Sequence, residues 1–172
     1  MKRAILLFLI MVSMASSAAA QDADELSKQL ANPVASLISV PFQNNFDFGA
    51  GPEGDGFAYT LNVQPVIPFS LNETWNLISR TILPIGYRNY FPEDDDVFGL
   101  GDTTQSLFFS PKAPTAGGLI WGVGPAFLLP TATDDYLGSG KWGIGPTAVA
   151  LVQKDKWTLG FLGNHIWSFA GD

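Results

Sequence analysis

Apolar and polar positions alternate with period two over most of the chain beyond about residue 37. The clearest stretch is Phe57-Ala-Tyr59-Thr-Leu61-Asn-Val63-Gln-Pro65-Val-Ile67-Pro-Phe69, in which every odd position is apolar or aromatic and no even position is charged. Successive side chains of a strand point to opposite faces, so the stretch predicts a strand with one apolar and one mildly polar face. It is longer than the ~5–6 residues usual in soluble proteins. It is long enough for a tilted strand through a bilayer, which needs roughly 9–11 residues. The same pattern predicts strands at 37–48, 57–69, 75–87, 99–110, 118–129, 142–152 and 157–169. The first of these carries Phe42, Phe46 and Phe48 on one face and Gln43, Asn45 and Asp47 on the other. Residues 21–36 read differently: Asp24, Glu25, Lys28 and Gln29 surround Leu26 and Leu30, and Asn32-Pro33 ends the run, which predicts a short helix and linker.

The connections alternate in length. Those at 70–74, 111–117 and 153–156 are short; those at 88–98 and 130–141 are long. Outer-membrane barrels have short periplasmic turns and longer outside loops, and a periplasmic start places every connection on the matching side. Pairing Phe69 with Trp75 across the first turn would set Ile67 against Leu77, Val63 against Thr81, Tyr59 against Ile85 and Phe57 against Tyr87. Aromatics then flank an aliphatic middle, the arrangement of two interfacial girdles. Phe57, Tyr59, Phe69, Trp75, Tyr87, Trp157, His165 and Trp167 are the expected girdle. Thr60, Asn62, Gln64 and Arg80 share the other face and are the expected lining of a lumen, with Gln64 opposite Arg80.

These features predict an all-β chain: an antiparallel up-and-down transmembrane β-barrel of about seven strands with a short N-terminal helix, in the periplasm or tucked into the barrel mouth. A secreted β-sandwich would also alternate, but its solvated face would carry Lys and Glu, and only Asp47, Arg80 and Asp102 are charged within the expected strands. Seven strands leave two greasy edges, which lipid does not tolerate, so the chain reads as part of a longer barrel whose C-terminal strands are missing. Pro65, Pro84, Pro125 and Pro146 fall inside strands and call for bulges or shifted boundaries. A bulge near Ser106 would reconcile Leu100 and Phe108 with Leu107 and Phe109. Trp121-Gly-Val-Gly-Pro125 recurs as Trp142-Gly-Ile-Gly-Pro146; its glycines either leave room for a plug, loop or permeant, or relieve curvature.

Residues 1–20 read as a cleaved signal peptide, with Lys2 and Arg3 before an apolar stretch and Ala18-Ala19-Ala20 at the cleavage site. The destination is then the cell outer membrane, with its lipid and lipopolysaccharide as partners. Nine basic against 16 acidic residues disfavour nucleic acid. The absence of cysteine removes disulfides and thiolate sites. Charged residues are 15% of the chain, against ~25% in ordinary soluble domains. No cofactor or metal site is expected. Gly49-Ala-Gly51-Pro-Glu-Gly54 has the letters of a dinucleotide fingerprint but leads into a strand rather than a helix. Gly138-Ser-Gly140-Lys141 lacks the rest of a phosphate loop. Glu93–Asp96 and Asp134-Asp135 read as solvated loops, with a cation bridge to lipopolysaccharide phosphate as the sharper alternative. His165 and Ser168 would point to opposite faces of a strand, which favours an interfacial anchor over a lipid hydrolase.

Four phrases resemble a known family: Ala31-Asn-Pro-Val-Ala-Ser-Leu-Ile-Ser-Val-Pro-Phe-Gln-Asn-Asn45, Gly99-Leu-Gly-Asp-Thr-Thr-Gln105, Trp121-Gly-Val-Gly-Pro-Ala-Phe-Leu-Leu-Pro-Thr131 and Gly140-Lys-Trp-Gly-Ile-Gly-Pro146. The chain is similar here to Gram-negative outer-membrane proteins labelled "MetA-pathway of phenol degradation" or simply transporter, some misnamed neuromedin U. The resemblance implies a barrel longer than this chain that admits small aromatic or apolar compounds. It carries over no catalytic or binding residue. The expected function is a pore or transporter rather than an enzyme. A structural or surface-binding barrel with a plugged lumen is the alternative, and an outer-membrane lipid hydrolase a remote one.

Overall fold

The computed structural model of the protein describes residues 23–51, 54–90, 96–155 and 157–171. The expected leader, residues 1–20, and the acidic residues Glu93, Asp94 and Asp95 lie outside them. A helix, α1, covers residues 23–31. Ten strand segments follow: Phe42–Ala50 (β1), Gly56–Val63 (β2), Val66–Ser70 (β3), Trp75–Arg88 (β4), Val97–Leu100 (β5), Thr103–Pro111 (β6), Leu119–Leu129 (β7), Lys141–Lys154 (β8), Trp157–Asn164 (β9) and Trp167–Gly171 (β10). They make seven strand lengths, because β2 and β3 both pair β4, β5 and β6 both pair β4, and β9 and β10 both pair β8. Every pairing is antiparallel between neighbours in sequence. The sheet curls into a half-barrel, with β1 along one edge and β9 and β10 along the other. Short connections gather at one end and the longer loops at the other.

Alternation puts the two chemistries on opposite faces. The concave face carries Ala58, Val66, Ile78, Phe108, Ala126, Val149 and Leu151, all buried, together with buried Gln64, Asn76, Ser106, Ser110 and Thr147. The convex face carries exposed Phe46, Phe48, Phe69, Phe109, Trp142, Ile144, Trp157, Leu159, Phe161 and Trp167, with Leu159 81% exposed. A sheet in water would cover such a face or make it polar. Ser79, Thr81 and Gln105 interrupt it and satisfy one another: Thr81 Oγ1 donates to Gln105 Oε1 at 2.6 Å, and Gln105 Nε2 donates to Ser79 Oγ at 2.9 Å.

Several boundaries differ from the sequence expectation. The first strand begins at Phe42, not at 37; residues 37–41 belong to an irregular segment tied on by the Ser39–Val66 bridge and by Gln64 N, which donates to the Pro41 carbonyl at 2.9 Å. The turn after β3 lies one residue further along the chain than expected, so Phe69 pairs with Leu77, Ile67 with Ser79, Val63 with Leu83, Leu61 with Ile85 and Tyr59 with Tyr87. Asn72 sets this register. Its Oδ1 accepts from the backbone nitrogens of Thr74 and Trp75 at 2.9 Å each, so the chain reverses one residue later on each side. The slip totals two residues and leaves every side chain on its expected face. The bulge expected near Ser106 lies at Gly101-Asp102. There the inward positions change from Val97 and Gly99 of β5 to Thr104, Ser106 and Phe108 of β6. Arg88, expected in a loop, is the last residue of β4 and shares the concave face with Arg80.

The repeated Trp-Gly-x-Gly-Pro phrases have one structural meaning. Pro125 and Pro146 face each other across β7 and β8. The Pro146 carbonyl accepts from His165 N at 3.1 Å, so its missing N–H also points to that side, where β9 gives way to β10. Correspondingly, β6 and β7 lose their pairing between Ser106–Ala126 and Phe109–Val123, beside Pro125. At each gap the preceding glycine lets the neighbour close in: a Cβ on Gly124 would strike the carbonyl oxygen of Leu107, and one on Gly145 that of His165. Gly145→Val should therefore destabilise the fold by about 1–3 kcal/mol, because a backbone carbonyl cannot step aside. Ala148→Val, at an exposed convex position, should leave it within about 0.5 kcal/mol. The urea midpoint of the folded band in unheated gel electrophoresis reads both.

Candidate functional site

The concave face is closed near the short-turn end by the chain's own N-terminal segment. Val34 is 5% exposed and packs in one cluster with Val66, Ile78, Phe108, Val149 and Leu151. Asn76 Nδ2 donates to Ser36 Oγ at 2.7 Å, and Gln153 Nε2 donates to the Lys28 carbonyl at 2.8 Å. Asn32 Oδ1 accepts from Val34 N at 3.0 Å and holds the turn that aims Val34 inward. Gly122 makes room for it: a Cβ there would lie 3.2 Å from Val34 Cγ1. Gly122 thus leaves room for the N-terminal segment, whereas Gly124 and Gly145 admit the backbone of a neighbouring strand, which neither expected reading named.

At the long-loop end, residues 130–140 fold back over the Gly101-Asp102 bulge. Ser139 donates to Asp102 Oδ2 through both its backbone nitrogen, at 2.6 Å, and its hydroxyl, at 2.8 Å; Ala132 N donates to Oδ1 at 3.3 Å. Thr103 N donates to Thr131 Oγ1 at 2.9 Å and Leu100 N to Thr133 Oγ1 at 3.0 Å. The loop thus supplies the acceptors that a bulged strand leaves unmatched. Leu137 settles over Gly86 and Gly99, where added Cβ atoms would lie 3.0 and 3.2 Å from its methyl carbons. The phrases Gly99–Gln105 and Pro130-Thr131 are the two halves of this joint.

Between plug and loop runs a polar track. Arg80 Nη2 donates to Gln64 Oε1 at 2.6 Å. Gln64 Nε2 donates to Gln43 Oε1 at 2.7 Å, and Gln43 Nε2 to Asn45 Oδ1 at 3.1 Å. Asn45 Nδ2 donates to the Thr60 carbonyl at 3.2 Å. Arg88 Nη1 ends the track on Thr60 Oγ1 at 3.2 Å and on the carbonyls of Tyr59 and Tyr87. Of the expected lining, Thr60, Gln64 and Arg80 join this network. Asn62 lies on the same face, paired with Gln43 on β1 and Pro84 on β4. Gln64 and Arg80 meet diagonally, because in register Arg80 pairs with Val66. Sequence reasoning missed Arg88, although it continues the Arg80–Ile82–Pro84–Gly86 alternation, and it missed the latch at Asp102.

The eight residues of the expected girdle all fall on the convex side. Phe57 and Tyr87 approach at 6.2 Å between ring centres even though Tyr59 is the register partner of Tyr87. Trp75 meets Trp121 edge-on at 5.8 Å at the short-turn end. His165 stacks its ring edge-on against Trp167 at 4.5 Å, is exposed, and among the described residues makes no hydrogen bond to Ser168. Asp96 accepts from Tyr87 Oη at 2.8 Å, so the last residue of the acidic loop serves the end of β4. Among the described residues no group of three or more His, Cys, Asp or Glu is placed to hold a metal ion.

The loop joint makes a direct prediction. Asp102→Ala removes charge-assisted bonds worth about 1.5–3 kcal/mol. Amide exchange at Ser139 and Ala132, read by mass spectrometry, should speed up by roughly tenfold or more. Exchange in β8 beyond Gly143 should not change.

No protein-family model matches the chain, and the search of curated proteins returned no match. Among solved structures, the half-barrel resembles the crystal structure of an outer membrane channel from Pseudomonas putida F1, with a TM-score of 0.56 and 18% sequence identity. The likeness covers 78% of this chain and 54% of that one, so the chain spans about half the length of the channel it resembles. At this identity the likeness establishes the fold: an antiparallel β-sheet curled as in an outer-membrane channel barrel.

Proposed function

We propose that the chain forms the wall of an outer-membrane β-barrel pore or transporter that passes small solutes of neutral, aromatic or apolar character. The observation that carries this reading is the reversal of the sheet's two faces. The convex face exposes large apolar side chains, whereas the concave face carries a hydrogen-bonded polar track centred on buried Gln64. Lipid outside and a solute path inside make physical sense of that reversal, and water outside does not. The N-terminal leader would bring the chain to the cell outer membrane, where bilayer lipid and lipopolysaccharide are its surroundings. The likeness to an outer membrane channel supports the same class. The family resemblance in the sequence supports aromatic or apolar cargo.

A second reading, a barrel with a plugged lumen that serves structure or surface binding, is favoured by one observation: Val34 sits in the buried cluster of the concave face. Conductance separates the two. Val34→Asp sets a charge in an apolar cluster, which costs several kcal/mol unless the segment leaves, so it should eject the segment (on the order of 2 kcal/mol or more). In planar bilayers the protein should conduct small ions weakly, and the variant should conduct severalfold more. Conductance of the unaltered protein that is already high and unmoved by Val34→Asp would deny the segment a gating part. Silence from both proteins, with no change in solute uptake on deletion, would remove the pore reading in favour of the plugged barrel.

A further inference from the structure

Arg80 stands where the two halves of the concave face meet. On its own strand it lies between Ile78 and Ile82, and across the sheet it pairs with Val66 and Ser106. A guanidinium carries five N–H donors. Among the described residues Arg80 spends one, on Gln64, and faces no carboxylate. The inward carboxylate of β1, Asp47, is level with Ala58 and Arg88, at the far end of β4. Its other donors are open to solvent or to a ligand, since no side-chain nitrogen among the described residues is both buried and unpaired.

The space in front of it is two-sided. Its floor is the plug around Val34, and its roof is Leu137 over Gly86. From Arg80 to Gly86 the strand rises about 20 Å. One wall is the polar track of Gln43, Asn45 and Thr60. The other is apolar, with half-buried Ile82, Pro84 and Leu128 facing inward. A concave face mostly apolar here, with one oriented cation at its base, suits a ligand with an apolar body and one anionic oxygen head. The planar guanidinium fits a carboxylate with two parallel hydrogen bonds.

We propose that Arg80, oriented by Gln64, is a binding subsite for monocarboxylates with an apolar body, and that it sets which solutes dwell in the lumen. This rests on the pore reading for its consequence, but binding is measured without it. The protein, folded into lipid nanodiscs, is titrated with octanoate and with 1-octanol by calorimetry against empty nanodiscs. Octanoate should bind at least tenfold more tightly than 1-octanol. Arg80→Gln should remove that preference and leave 1-octanol unchanged. Gln64→Glu should weaken octanoate by at least tenfold, because the new carboxylate lies within reach of the guanidinium, whose present contact is 2.6 Å. Arg80→Lys, which keeps the charge but loses the fork, should retain part of the preference. Unheated gel mobility confirms that each variant is folded; if Arg80→Gln does not fold, Gln64→Glu and Arg80→Lys decide. Octanoate affinity that stays within twofold in Arg80→Gln and Gln64→Glu, or that equals 1-octanol affinity in the unaltered protein, overturns the subsite. Arg80-dependent binding in a protein that does not conduct would leave the subsite standing and remove the pore.

Discussion

Backbone hydrogen bonding is the constraint on which the rest depends. If lipid covers the apolar convex face, as proposed, no water is there to satisfy a stray N–H or C=O, so each strand must find its partners in its neighbours. Between the two edges of the sheet, β1 on one side and β9 and β10 on the other, the seven strand lengths meet this demand along nearly all their course. They fall short where proline removes a donor, beside Pro125 and Pro146, and where the Gly101-Asp102 bulge breaks step. Each shortfall is met locally. Gly124 and Gly145 let the neighbouring backbone close in, and the bulge borrows acceptors from Thr131 and Thr133. The polar patch of Ser79, Thr81 and Gln105 obeys the same rule with side chains.

The same constraint shapes the concave side. Polar groups there are buried by the curl of the sheet and by what folds into it, so they too must be paired. The track from Arg80 to Arg88 pairs them in a chain that crosses β4, β2 and β1. The N-terminal segment adds Ser36 for Asn76 and a backbone carbonyl for Gln153. No buried side-chain nitrogen or oxygen among the described residues lacks a partner. The N-terminal segment, the track and the loop joint therefore cover the concave face together, with an apolar stretch at Ile82, Pro84 and Leu128 left between them.

The strands were legible in the sequence because a period of two is a local property. Inward and outward positions follow from parity alone, which is why Thr60, Asn62, Gln64 and Arg80 fell together on one face and the aromatics on the other. Parity also survives a slip of two residues, so the misplaced register between Phe69 and Trp75 changed pairs without changing faces. Arg88 lay one residue past the expected strand end, and only the extra turn of ladder to Val97 revealed its orientation.

What the sequence determined by itself was the two-faced strand, its repetition and the chemistry of each face, because each depends on residues close in the chain. The tertiary structure alone decided three things. These are that Val34 fills the space above Gly122, that Asp102 holds Ser139 and that Arg80 reaches Gln64 on the diagonal. Each joins residues distant in sequence through curvature and register, and none of the three is written in any local pattern. Curvature comes from summed twist, glycine and proline gaps over many strands. Register depended on how one asparagine, Asn72, bonded its turn.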